Sequence, residues 1–339
     1  MMKTSSKISM CLLFLLIFSV GTTITIFSYP NTNVVEFESN LNISQAVKRE
    51  EVGIYDEKLI KEIPNTIDIG NNWSETAKIY DWCSGTGTSL DPYIIENIKI
   101  DAKDARYCIK INKGKNFIIR NCIFTNTSGE GEKTSAIYVI EAEEGMIENN
   151  NFTYCKTGVF SEKAKIINLR YNSFIGDFNG TSGNGRAFWA YEGEELTISG
   201  NYILDYYCAI GIWFSKENDI SLNTIINYEY GKVVEAGIYL SNVNNSGIIE
   251  NDLYGVNDKY DDSLDIQTAS ANGGYDAFLL EYCNNILVSG NRLFDSNGNL
   301  IGEESLPSVP FNFGLLILVI SIGIAGFLTI LFYIRKKER

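Results

Sequence analysis

The sequence predicts an all-β fold built as a solenoid, a parallel β-helix, and three observations predict it. First, one phrase recurs between Ile118 and Leu293: an aliphatic residue, two variable positions, Asn, one variable position, then a large apolar residue. The copies are Ile118/Asn121/Ile123, Ile147/Asn150/Phe152, Leu169/Asn172/Phe174, Ile198/Asn201/Ile203, Ile220/Asn223/Ile225, Ile248/Asn251/Leu253 and Val288/Asn291/Leu293. Successive Asn residues stand 22, 28 or 29 positions apart, and 40 at the last interval. A basic period of about 22 with insertions marks stacked repeats.

Second, an apolar column keeps the same beat. Thirteen residues before each Asn, from the second copy on, stand Ile137, Val159, Phe188, Ile210, Ile238 and Phe278. Two residues later come Val139, Ser161, Ala190, Ile212, Leu240 and Leu280. An offset of two puts both positions on one face of a strand. The first copy is one residue short, with Ile109 and Ile111. Third, the apolar pieces are short, rich in Ile, Val, Phe and Tyr, and split by Asn, Gly and Ser, as strands are. Leucine-rich repeats share the period but need Leu on every strand, where this chain uses Ile and Asn.

The elements follow in order. Residues 1–29 read as an export signal, with Lys3 and Lys7 ahead of an apolar run from Ile8 to Val20; an uncleaved anchor is the alternative. Residues 30–65 are polar and acidic and read as a spacer or a cap on the first coil, whose interior and strand edge need cover. Residues 66–300 form the solenoid. No sustained helical stripe occurs there, and turns such as Ser84-Gly85-Thr86-Gly87-Thr88 separate the apolar pieces.

The recurrent Asn has a structural reason. At a bend, turned inward, its amide must find partners. Stacked on copies of itself it can bond neighbouring amides and backbone. Asn121, Asn150, Asn172, Asn201, Asn223, Asn251 and Asn291 are therefore expected to form one ladder.

These coils, together with the lead-in Gly85-Thr86-Gly87-Thr88-Ser89-Leu90-Asp91-Pro92-Tyr93-Ile94-Ile95-Glu96-Asn97, resemble the right-handed parallel β-helix repeats of the pectin-lyase-like superfamily, within it the NosD-like, periplasmic copper-binding type. The resemblance covers roughly residues 66–300 and implies fold more than function, because this solenoid hosts lyases, hydrolases, epimerases and adhesins. Copper is what the NosD label implies. The chain has no His, and Met146 is the only Met beyond the N-terminal segment, so copper is not expected. Absence of His also removes His-based triads and acid–base work. The Gly-His-Gly motif of pectin hydrolases is missing, and Arg106, Arg120, Arg170, Arg186 and Arg292 sit in no lyase motif.

The insertions offer more. Thr127–Ser135, Asp177–Gly185, Asn227–Glu235 and Val256–Tyr275 all leave after the apolar residue that follows the Asn, so they should line one edge. The binding candidates are Tyr228, Tyr230, Tyr254, Asp258, Tyr260 and Asp265, with Asp261 and Asp262 as candidates for an acid–base pair. Rings and carboxylates suit a sugar, and the same oxygens suit Ca²⁺, the one cofactor left open; a solvated acidic loop is the plain alternative. No metal ligand set is assigned.

Cys83, Cys108, Cys122, Cys155, Cys208 and Cys283 are spaced irregularly with no CxxC pair, which disfavours zinc. They read as buried thiols, with one or two bridges as the alternative. Sequons at Asn126 and Asn179, in insertions, are the best candidate glycan acceptors. Residues 301–310 form a stalk. Residues 311–334 carry no charge and are long enough to cross a bilayer, and the basic tail 335–339 would stay cytoplasmic. The two ends carry +2 and +3, leaving −19 for the middle of a chain whose net charge is −14. That acidity argues against nucleic acid.

The expectation is a single-pass cell-membrane protein with its β-helix outside, anchored by the C-terminal helix. Three roles are open: a glycan- or protein-binding adhesion module, a polysaccharide lyase or hydrolase using loop carboxylates, and a structural envelope rod.

Overall fold

The computed structural model describes residues 60–304, apart from 71, 132, 177–184, 228–235, 256–276 and 296–297. Within them the chain winds as a right-handed parallel β-helix with three sheets. Each coil crosses a first face, a second face and a third face in turn. The second complete coil shows the plan: Ile137–Ile140 on the first face, Glu143–Glu148 on the second, Asn151–Thr153 on the third. Pairing between coils is parallel, with antiparallel exceptions near the ends, Cys83–Ser84 against Tyr93–Glu96 and Asn291–Phe294 against Leu300–Glu304.

Period-2 alternation inside each strand builds the core. On the first face Ile109, Ile137, Val159, Phe188, Ile210, Ile238 and Phe278 stack in register. On the second face Ile95, Ile119, Ile147, Leu169, Ile198, Ile220, Ile248 and Val288 do the same. The third-face column holds Phe124, Phe152 and Phe174, with ring centroids 5.2 and 4.5 Å apart. Each buried aliphatic or phenyl side chain removes apolar area worth about 1.5–3 kcal/mol from water.

The bend between the second and third faces carries the asparagine ladder. Nδ2 of Asn150 donates to Oδ1 of Asn172 at 3.0 Å, and the same bond joins Asn172 to Asn201, Asn201 to Asn223, Asn223 to Asn251 and Asn251 to Asn291. Each Nδ2 also donates to a carbonyl of the preceding coil, as Asn201 does to Leu169 at 2.9 Å. Six of the seven predicted members are therefore in one file.

Asn121 is not. The ladder slot in its coil belongs to Cys122, because Phe124 pairs with Phe152 and Ile123 with Asn151. Asn121 stands one residue earlier, at φ 54°. That left-handed position recurs before every ladder slot, filled by Asn149, Tyr171, Gly200, Leu222, Glu250 and Gly290. Asn tolerates the left-handed region better than most residues, so two adjacent sites both suited Asn and the repeat phrase caught the wrong one. The column that seemed one residue short in this coil was in register all along, Ile109 pairing with Ile137.

At the start of the solenoid a seven-residue helix, α1 (Trp73–Ile79), covers the first coils. Trp73 is buried and stacks on Tyr93 and Phe117, centroids 5.2 and 5.6 Å away. Seven residues are too few to display a helical stripe, which is why the sequence pattern passed over it.

The second face and its leading bend carry charges that alternate by coil. Lys115 pairs with Glu143, Glu143 with Lys165, Lys165 with Glu194 and Glu194 with Lys216 as successive strand neighbours. Ion-pair distances are 3.4 Å for Lys115–Glu143 and 2.6 Å for both Lys165–Glu194 and Lys216–Glu194. A second file at the bend repeats the rhythm with Lys113–Glu141 and Lys163–Glu192. Opposite charges directly across a ladder stabilise a sheet and like charges destabilise it.

Residues 1–59 and 305–339 lie outside the described residues, and with them the export signal, most of the spacer and stalk, and the membrane helix. The expected boundaries shift at both ends of the solenoid: Lys61–Ile63, in the expected spacer, pairs in parallel with Ile98–Asp101, and residues 301–304, in the expected stalk, belong to the strand Leu300–Glu304. No helix among the described residues is long and apolar enough to cross a membrane.

Candidate functional site: an aromatic belt on the first face

The outward side of the first face differs from the other two. Alternation turns the residue between the two apolar columns to the outside. Successive coils place Lys110, Tyr138, Phe160, Trp189, Gly211, Tyr239 and Leu279 there, in register. Two residues on, Glu162, Tyr191, Trp213, Ser241 and Glu281 form a parallel outward file.

Rings run along this surface without a break. Centroid distances are 5.2 Å for Tyr138–Phe160, 4.8 Å for Phe160–Trp189, 5.4 Å for Trp189–Trp213 and 4.9 Å for Trp213–Tyr239. Trp213 bridges the gap left by Gly211, where an added Cβ would lie 2.6 Å from the Trp213 ring. Trp213 is turned 65° from Trp189 and 77° from Tyr239, meeting both edge to face. Phe160 is buried beneath its neighbours, while Tyr138, Trp189, Trp213 and Tyr239 are part-exposed. The Arg186 guanidinium lies 4.6 and 4.9 Å from the Trp189 and Trp213 ring centres, a cation–π arrangement that rigidifies the floor.

Polar groups sit at the two ends of the belt. Tyr138 Oη donates to Glu162 Oε2 at 2.6 Å, and Lys133 Nζ donates to the same oxygen at 2.7 Å. Burial works against the Glu162 carboxylate, but Lys133 and Tyr138 outweigh it and hold the carboxyl below the ordinary glutamate value. Burial, then the Glu162 bond, pushes the Tyr138 hydroxyl up. At the far end Tyr239 Oη donates to Glu281 Oε2 at 2.6 Å. The insertion-bearing connections all lead from the third face onto this one, as from Ser173–Ile175 to Arg186–Tyr191.

Sequence reasoning missed the belt. The signal was present in the position between the two apolar columns. Of the binding candidates, Tyr254 is described: its ring stacks on Phe294 at 4.3 Å and 7° on the outside of the third face, away from the belt. Tyr228, Tyr230, Asp258, Tyr260, Asp261, Asp262, Asp265 and Asn179 lie outside the described residues. Asn126 takes part in a local bond, its Nδ2 donating to Asp101 Oδ1 at 3.0 Å. The six cysteines among the described residues are free thiols.

A family model for NosD, periplasmic copper-binding protein, matches residues 43–236. The chain belongs to the NosD family. No curated protein matches it. Among solved structures, this NosD-family chain is similar to DFA-IIIase from Arthrobacter chlorophenolicus A6 in complex with GF2, at 12% identity and TM-score 0.37, over 64% of this chain and 45% of that one. It is similar to the Dettilon tailspike protein at 12% identity and TM-score 0.38, over 71% and 55%. It is also similar to PfbA, a surface adhesin of Streptococcus pneumoniae, at 10% identity and TM-score 0.23, over 60% and 69%. The chain thus spans about half the length of the first two.

The family description names copper, and the described residues of this member do not fit it. The chain contains no His. Met146 Sδ accepts a hydrogen bond from Arg170 at 3.1 Å. Burial pushes the thiols of Cys83 and Cys155 up to about 11 and that of Cys122 to about 12, whereas a metal-binding thiol must give up its proton. Glu194, Glu195 and Glu217 bring carboxylate oxygens within 4.8 Å of one another. The Glu194 oxygens already serve Lys165 and Lys216, whose hydrogen bonds hold its carboxyl down to about 2. This is a node of the charge ladder.

Proposed function

We propose that this NosD-family protein is a glycan-binding module that reads its ligand with the outer surface of the first face. The single observation behind the reading is the continuous file Tyr138–Phe160–Trp189–Trp213–Tyr239 on a rigid sheet. Sugar rings offer C–H faces to aromatic rings and hydroxyls to carboxylates, and this surface supplies both kinds of partner. Sites built on strands hold their geometry better than sites on loops.

Catalysis has less support. Glu162 bonds both Lys133 and Tyr138 and its carboxyl lies below the ordinary glutamate value, the reverse of what a general acid needs at neutral pH. An export signal in residues 1–29 and a membrane anchor in residues 311–334 would place the module outside the cell, tethered to it.

Glycan-array binding of the purified protein tests the reading. Wild type should bind a defined glycan class, and Trp213→Ala should lose at least tenfold in affinity while keeping a cooperative, if lowered, melting transition. Absence of binding to every glycan class, or binding untouched by Trp213→Ala, overturns it.

A further inference from the structure

The two ends of the belt repeat one arrangement. Tyr138 stands on one coil and its acceptor Glu162 on the next, two positions along the strand direction. Tyr239 and Glu281 are related in the same way, Tyr239 facing Leu279 and Ser241 facing Glu281. Both bonds measure 2.6 Å. Between the two pairs the outward surface is aromatic. Polar pair, apolar floor, polar pair is a bracketed site with two defined limits.

The register fixes its length. Tyr138, Phe160, Trp189, Gly211 and Tyr239 follow one another on adjacent coils. Four steps at roughly 4.8 Å per strand make the span about 19 Å. Ring-to-ring distances along it run from 4.8 to 5.4 Å. An extended chain of pyranose rings advances by about one such step per sugar, so a glycan laid along the solenoid axis would keep step with the coils and meet the four part-exposed rings, Tyr138, Trp189, Trp213 and Tyr239, above the buried Phe160.

Charge selects the class. Both end groups are carboxylates, Lys133 is committed to Glu162, and the cation within the belt, Arg186, is held against the Trp189 and Trp213 rings. The chain as a whole carries −14. A uronate or sialate chain would bring further negative charge against these acceptors, whereas neutral hydroxyls donate to them.

Building on the glycan-binding reading, we propose that the ligand is a neutral, unbranched oligosaccharide of about four rings, lying along the solenoid axis and held at its ends by the Tyr138–Glu162 and Tyr239–Glu281 pairs. The aromatic floor supplies affinity. The two pairs set the length.

Calorimetry on the full chain tests it with two ladders of probes, each from two to six rings: neutral hexose chains (β-1,4-glucan, α-1,4-glucan and β-1,4-mannan) and uronate chains. In one neutral ladder, affinity should rise at least tenfold from two rings to four and level off beyond five. Tyr138→Phe and Tyr239→Phe keep the rings and remove one hydroxyl each. Each should weaken four-ring binding about fivefold and leave two-ring binding within twofold. Affinity independent of length, or tighter binding of uronate chains, overturns the inference while leaving the glycan-binding reading intact if Trp213→Ala still abolishes binding. If neither ladder binds while the array shows another glycan class, the inference falls alone; if no glycan class binds, or Trp213→Ala has no effect, both fall together.

Discussion

The backbone N–H of Cys122 donates to Oδ1 of Asn150 at 3.0 Å, just as the N–H of Asn150 donates to Asn172 one coil on. Cys122 therefore occupies the ladder slot with an intact acceptor on one side and no amide of its own. Its thiol lies 3.9 Å from the Ile95 carbonyl, the group that the ladder amide of this coil would reach.

Cys122→Asn should extend the ladder by one rung. The new Nδ2 would meet Asn150 Oδ1 and the Ile95 carbonyl. Two added bonds in a buried site, offset by the cost of burying an amide, should stabilise the fold by about 1 kcal/mol. Urea unfolding checks it, as an increased midpoint at constant slope.

Asn201→Ala should act in the opposite sense. It removes the acceptor of Asn172 and the donor to Asn223 and to Leu169. Leaving buried polar groups without partners should cost about 3 kcal/mol. The same unfolding assay reads it, and a loss below 1 kcal/mol would show that the ladder is ornamental.

Glu194 predicts an acid-side effect. Its hydrogen bonds to Lys165 and Lys216 lower its carboxyl from 4.5 to about 2. A depressed value means the stabilisation is complete above the unfolded value near 4.5 and fades as pH falls through about 2. Melting curves of wild type and Glu194→Gln should differ at pH 6 and converge near pH 2. High salt should narrow the gap at pH 6, because the site faces solvent.

The buried thiols predict the alkaline limb. Burial raises Cys83 and Cys155 from 9.0 to about 11, and Cys122 to about 12. Stability is unaffected by these groups below the unfolded value of 9 and is lost as pH climbs toward 11–12. Cys122→Ala should flatten part of that loss. In the native state at pH 8 a thiol reagent should leave the five buried cysteines unmodified.

Copper should not be retained. After incubation with Cu(I) or Cu(II) and dialysis against a mild chelator, elemental analysis of native protein should find well under one equivalent. Stoichiometric retention by folded protein would refute the reading of the donor set.

The core was legible in the sequence because stacking makes it repeat. A side chain facing inward meets its counterpart one coil above and below, so Ile, Phe and Asn recur at the spacing of the coil. Asn150 and Asn291 could be placed from spacing alone. Asn121 could not, since its neighbour Cys122 carries no amide to mark the slot. The belt was harder to see for the same physical reason. Outward residues need not repeat, and Tyr138, Phe160, Trp189 and Gly211 differ at every step. Trp213 reaches the belt from two residues further along its strand, a displacement that only the space left by Gly211 permits. The acidic residues of the longest insertion are conspicuous in composition, but they share no period with the coils that would place them.

The sign change from one coil to the next has a consequence for how this rod can grow or shrink. Excising the coil that carries Glu143 would set Lys115 against Lys165. Excising that coil together with the next would set Lys115 against Glu194, and the pairing would survive. Electrostatics thus makes the two-coil unit, not the single turn, the natural quantum of duplication and deletion along this stretch.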